Sequence, residues 1–191
     1  MKHAVRVILF SWAIISIACN KGPKMGASAL EGFSGHVTSR QLTPEIITGM
    51  KDEDVEQAVV DNIIIDLQDD GAGVTAEKIA KLDSGQRAIY VTWIWEAKMT
   101  KGGFDYFFKH TAKTITSRLK ESLQTVDAPH FAEITDQAFA LYESIQSGQL
   151  KDQDYPFTEL DESISDLKKI ESLDAIKVRY IRNHPEEFLH N

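Results

Sequence analysis

The stretch Asp83-Ser84-Gly85-Gln86-Arg87-Ala88-Ile89-Tyr90-Val91-Thr92-Trp93-Ile94-Trp95-Glu96-Ala97-Lys98-Met99-Thr100-Lys101-Gly102-Gly103-Phe104-Asp105-Tyr106-Phe107-Phe108 decides the fold. Asp83 followed three residues later by Gln86 is a capping-box pattern, in which two side chains each satisfy a free backbone N–H at a helix start. Tyr90, Trp93, Ile94 and Ala97 then recur at helical spacing and define one apolar side. Gly102-Gly103 predicts a sharp stop, because glycine supplies the positive φ of a helix end and allows close approach of the next turn. Phe104, Phe107 and Phe108 follow at spacings of three and four, which puts them on one face of a second helical stretch. They are expected to pack against Trp93 as core. Glu96, set among aromatics, is expected to be a buried carboxylate satisfied by the amides of the following turn.

The same period extends outward in both directions. Val55, Val59, Ile63 and Leu67 repeat every four residues behind Asp52 as N-cap, with Gly71 and Gly73 as terminators. Thr75 can cap a short helix running to Leu82. Ile115, Leu119 and Leu123 mark another helix. Asp127 and Pro129 open one that turns Phe131, Ile134, Ala138, Leu141 and Ile145 inward. Leu160, Ile164 and Leu167 mark a further helix, and Leu173, Ile176 and Tyr180 the last. No stretch alternates with period two between turn signals. The expected fold is all-α, about seven to nine helices around one core, over residues 44–191.

The start of the chain reads differently. Lys2 and Arg6 precede an apolar run, Val7 to Phe10 and Trp12 to Ile17, and Ala18 closes it before Cys19. That order is a secretory signal, expected over residues 1–18. The run is near half of the roughly 20 apolar residues that a spanning helix needs. Ile15-Ser16-Ile17-Ala18-Cys19 resembles the bacterial lipobox, which implies lipidation of Cys19. Residues 19–43, with Gly22, Pro23, Gly26, Ser28, Gly32, Ser34 and Gly35, read as a flexible linker. The expected location is the bacterial cell envelope, with the domain lipid-anchored to a membrane and facing the periplasm or the exterior. Cys19 is the single cysteine, so lipidation would leave no thiol for disulfides, metals or nucleophilic chemistry.

Charge is unevenly distributed. The formal charge is −8, and −10 once the two basic residues of the signal are removed. Residues 45–70 hold nine acids and one base, residues 77–120 four acids and nine bases, and residues 121–174 thirteen acids and three bases. Solvated helix faces are the plain reading of such blocks. The sharper reading is an acidic surface that engages a basic protein through charge complementarity. Direct nucleic-acid binding needs a net basic footprint and is not expected.

Asp66 to Glu77 has the outline of a calcium loop, with Asp66, Asp70, Gly71 and Glu77 at positions 1, 5, 6 and 12. Gln68, Gly73 and Val74 break the pattern, and an acidic helix end with a glycine turn is preferred. His36, His110, His130, His184 and His190 form no HExxH and no i, i+4 pair. Gly71-Ala72-Gly73 follows a helix and not a strand, so it is no dinucleotide loop. No cofactor, metal or catalytic constellation is expected.

Tyr90 to Met99, followed by Gly102-Gly103-Phe104-Asp105-Tyr106-Phe107-Phe108, resembles the signature of the bacterial DNA-mimic protein C-terminal-domain family. The ending from Tyr180 to Phe188 and the Leu160-Asp161-Glu162 segment are similar to it too, over roughly residues 50–188. Lys101, Tyr106 and His110 depart from the family's usual residues. The resemblance implies an all-α acidic interaction domain, often dimeric, with Trp93, Glu96, Gly102, Gly103, Phe104, Phe107 and Phe108 as signature residues. The expected function is an exported, lipid-anchored interaction module without enzymatic activity, of inhibitor or immunity type. The alternatives are a DNA mimic that occupies a DNA-binding protein, and an envelope hydrolase using carboxylates.

Overall fold

The computed structural model describes residues 41–68, 74–150 and 156–189. The expected signal, Cys19, most of the linker, Asp70, Gly71 and Gly73 lie outside them. The described residues fold as α1 (Pro44–Gly49), α2 (Asp52–Gln68), α3 (Ala76–Lys81), α4 (Ser84–His110), α5 (Lys113–Thr116), α6 (Leu119–Thr125), α7 (Pro129–Gln146), α8 (Thr158–Ile170) and α9 (Leu173–Asn183). A 3-10 turn, Pro185–Phe188, follows. Among these residues there is no strand, so the all-α expectation holds. No described helix is long and apolar enough to cross a membrane.

Local chemistry sets most of the boundaries. The Thr43 and Thr75 hydroxyls accept from Ile46 N–H and Lys78 N–H, each at 3.3 Å, and Ser172 accepts from Ala175 N–H at 3.2 Å. The Gln86 side chain accepts from Asp83 N–H at 3.2 Å, as the capping box requires. Three boundaries differ from the sequence reading. Asp52 is the first helical residue of α2 and not its cap, and its carboxylate is held by Arg182 at 2.5 Å. Asp127 turns the chain with φ +64°, which leaves Ala128 as the N-cap residue before Pro129. The Ile115–Leu123 stretch divides into α5 and α6, with Ser117 and Arg118 between them.

α4 is the axle of the molecule. It packs against α2, α6, α8 and the 3-10 turn, while α9 lies on α2 and α7 bridges α6 and α8. Burial therefore extends around it: Val91, Thr92, Trp95 and Lys98 are as enclosed as Tyr90 and Ile94. The glycine pair kinks this helix instead of ending it. Gly102 is extended at φ 171°, Gly103 sits at φ 64° and ψ −157°, and helix resumes to His110.

That kink corrects one expected contact. Phe104, Phe107 and Phe108 are buried as predicted, but their tryptophan is Trp95, with ring centroids 6.4 Å from Phe104 and 6.3 Å from Phe131. Trp93 is half-buried and stacks on Tyr90 at 6.5 Å. The two tryptophans lie on opposite sides of a 3.6-residue helix, so only one can face the turned-back chain. Phe108 extends the cluster to Tyr142 at 4.3 Å, Phe139 at 5.0 Å and Phe157 at 5.4 Å.

Candidate functional site: an acidic surface on a lysine-clamped scaffold

Glu96 is not held by the turn that follows it. Its carboxylate takes Lys177 of α9 on one oxygen and Lys168 of α8, at 3.2 Å, on the other. Lys177 also donates to Glu56 of α2 at 2.5 Å and approaches Asp174 at 3.4 Å. One ammonium, 1 % exposed, thus joins three helices, and Lys168 adds the fourth. Burial opposes the charge on Lys177, yet Glu96 and Glu56 together hold its pKa above the ordinary lysine range. Glu56 is pushed up from the carboxylate range because its burial outweighs the attraction of Lys177. A sequence signal existed: Lys177 occupies the inward register set by Leu173, Ile176 and Tyr180. Its partners lie 81 and 121 residues away.

The amide expected to satisfy Glu96 is taken by another acid. Phe104 N–H, just past the kink, donates to Asp161 of α8 at 2.9 Å. Burial raises the pKa of Asp161, with that hydrogen bond opposing. At the far end of α4, Glu187 of the 3-10 turn accepts from Gly85 N–H at 2.6 Å and from the Tyr180 hydroxyl at 2.9 Å. A carboxylate placed at a helix N-terminus is favoured by the helix dipole. Sequence reading missed Glu56, Lys177 and Glu187 as site residues, and it noted Asp161 without its role.

Other acids among the described residues face solvent in rows. On α8, Glu159, Glu162 and Asp166 are exposed at spacings of three and four, with Lys169 on Asp166 at 2.7 Å. On α7, Glu133, Asp136 and Glu143 are exposed, and Lys120 reaches Asp136 at 2.8 Å. The first turn of α2 adds Asp52, Glu53 and Asp54. Several bases of the central block serve structure instead. Lys78 donates to the Leu67 carbonyl at 2.6 Å and Arg87 to that of Leu82 at 2.8 Å, both at helix ends.

The calcium outline gathers no shared site among the described residues. Asp66 and Glu77 are exposed, Asp70 lies outside them, and the Glu77 amide first, then Thr75, hold the Glu77 pKa low at the start of α3. His184 lies within 3.9 Å of Glu186 and 3.8 Å of Glu187. Glu187 is already committed to Gly85 and Tyr180. The three departures Lys101, Tyr106 and His110 come together at the kink. Lys101 Nζ lies 5.9 Å from the Tyr106 ring centroid, and the His110 ring packs on Tyr106 at 4.3 Å.

These features define an acidic, all-α domain built around one kinked, buried helix and closed by a lysine–carboxylate clamp. The chain belongs to the DMP19-like protein family, whose family model matches residues 80–184, more than half of it. The match starts at Ala80, near the end of α3, and takes in Glu96, the glycine pair, Asp161 and Lys177, but not Glu56. No curated protein and no solved structure matches the chain.

Proposed function

We propose that the domain is a non-enzymatic, protein-binding module that occupies the DNA-binding face of a basic protein. Its exposed carboxylates would stand where that protein expects phosphates. The observation that carries this reading is the exposed acidic row on α8, on a chain that belongs to the DMP19-like family. With about 1.5 Å of rise per residue, Glu162 and Asp166 lie about 4.5 and 10.5 Å along the axis from Glu159. A DNA strand carries a phosphate about every 3.4 Å of its axis, so the row offers charges on a comparable scale. The family match supports a protein partner, and the net charge disfavours nucleic acid as ligand.

Capture of basic proteins from extracts of the source cells tests this directly. Bound protein is expected to elute with a short DNA duplex as well as with salt. The triple variant E159Q/E162Q/D166Q removes three exposed pairs, each worth about 0.2–1 kcal/mol, and should weaken capture about tenfold. Capture indifferent to duplex DNA, or unchanged in the triple variant, would sink the proposal.

We propose, as a second reading that sets the partner elsewhere, that Cys19 is lipidated and tethers the domain in the cell envelope, where a basic partner would be met outside the cytoplasm. The charged, apolar and small-residue order up to Cys19 supports it. One acyl chain binds a membrane only marginally, at about 0.8 kcal/mol per buried methylene, so stable anchoring calls for more than one. Metabolic labelling with a fatty acid is expected in the wild type and absent in Cys19→Ala; equal labelling of the two would refute it.

A further inference from the structure

Two lysines are buried among the described residues, and they are treated differently. Lys177 has carboxylates on either side. Lys98, on α4 in register with Val91, Ile94 and Trp95, is 2 % exposed and has no carboxylate or hydrogen-bond partner among the described residues. Its ammonium lies 5.9 Å from the centroid of the Tyr106 ring. Lys101 Nζ is equally distant from that centroid, and the His110 imidazole packs against the same ring. Lys101, Gly102 and His110 are exposed, so the cluster opens to solvent at the kink.

A ring face attracts a cation through its quadrupole but supplies no counter-charge. The Lys98 stem is enclosed and its ammonium end reaches the opening, so in place of a counter-charge it has the ring and what solvent brings. Burial first, and Lys101 second, hold Lys98 below the ordinary lysine range, while the nearby Asp105 carboxylate is taken by Lys109. The surrounding molecule carries a formal charge of −8, yet it sets two lysines and an imidazole around one ring, and among the described residues no acid pairs Lys98.

We propose that Lys98, Lys101 and His110, gathered around Tyr106, form a binding site for a phosphate-type oxyanion, either inorganic phosphate or a phosphate monoester. Ammonium groups act as compact point charges and suit a tetrahedral oxyanion better than they suit planar, bidentate recognition. The anion replaces solvent beside the ring, neutralises Lys98 and bridges it to Lys101. The site stands apart from the acidic row on α8, and its existence is independent of the protein partner.

Titration calorimetry of the full chain, with ionic strength fixed by chloride, provides the test. Inorganic phosphate is expected to bind saturably at one site. Lys98→Met and Lys101→Met should each weaken it about tenfold, whereas Lys81→Met, an exposed lysine at the end of α3, should not change it. Lys98→Met places an unbranched apolar chain of similar length in a buried position, and its thermal melt verifies that it folds. Phenyl phosphate and acetate distinguish the source: a monoester ligand is indicated if phenyl phosphate binds at least as well as inorganic phosphate. Acetate binding as tightly as phosphate overturns the phosphate assignment. Absence of saturable phosphate binding, or wild-type affinity in a folded Lys98→Met, overturns the site.

Discussion

Gly103→Ala is expected to destabilise the domain by about 3–5 kcal/mol, the sum of backbone strain and a lost charged hydrogen bond. At φ +64° an L side chain is strained, and a Cβ there would lie 2.1 Å from Asp161 Oδ2. Asp161 would have to leave, which strands the Phe104 amide at the point where the helix resumes. Gly148 provides the control. It also has positive φ, at +73°, but a Cβ there meets nothing within 4 Å. Gly148→Ala should therefore cost about 1–2 kcal/mol, the conformational part alone. Urea denaturation of the two variants separates strain from collision. If Gly103→Ala costs no more than Gly148→Ala, the close approach of Asp161 is not what the glycine serves.

Lys177→Met should have an effect of similar size, about 3–5 kcal/mol, because it takes from largely buried Glu56 its cation and leaves Glu96 with Lys168 alone. Glu56 and Glu96 are 17 % and 19 % exposed. Lys168→Met removes a partner that is 36 % exposed and should cost about 0–1 kcal/mol. Adding Glu56→Gln and Glu96→Gln to Lys177→Met should restore much of the loss, since neutral amides carry a smaller desolvation cost. The pH dependence has a definite sign. A group whose folded pKa is raised contributes stability below its unfolded pKa and loses it as pH rises through the folded value. For Glu56 that loss begins above an unfolded value of about 4.3, and removing Lys177 raises its folded pKa further. The gap between variant and wild type should therefore be widest near neutrality and narrow as the solution is acidified. For Lys177, also raised, the wild type's advantage should fade at alkaline pH. A gap independent of pH would show that lost packing, and not charge, dominates the variant.

Helix existence was legible because periodicity and capping act within a few residues of chain. The Thr75 cap, the Asp83–Gln86 box, Pro129 in the first turn and the inward faces of α8 and α9 all appear where local spacing puts them. Contact identity was less legible. Counting along α4 assigned Trp93 to the phenylalanine cluster, and that count fails once Gly103 changes the direction of the helix. Partner choice for charges was legible least of all. Glu96 had nearby amides as the economical partner, yet lysines 72 and 81 residues away reached it first.

What the sequence determined by itself is where this chain is helical, where the long helix breaks, and which family it belongs to. Those properties rest on propensity, spacing and residue type, all of which act locally. What only the tertiary structure decided is which side of α4 meets the aromatic cluster, which acid seals the break, and which buried lysine is neutralised. The physical reason is that desolvation and charge pairing depend on distances between segments separated by tens of residues. The opening stretch encodes a kinked helix, but the meaning of Glu96 and Lys98 within it depends on what the rest of the chain places beside them.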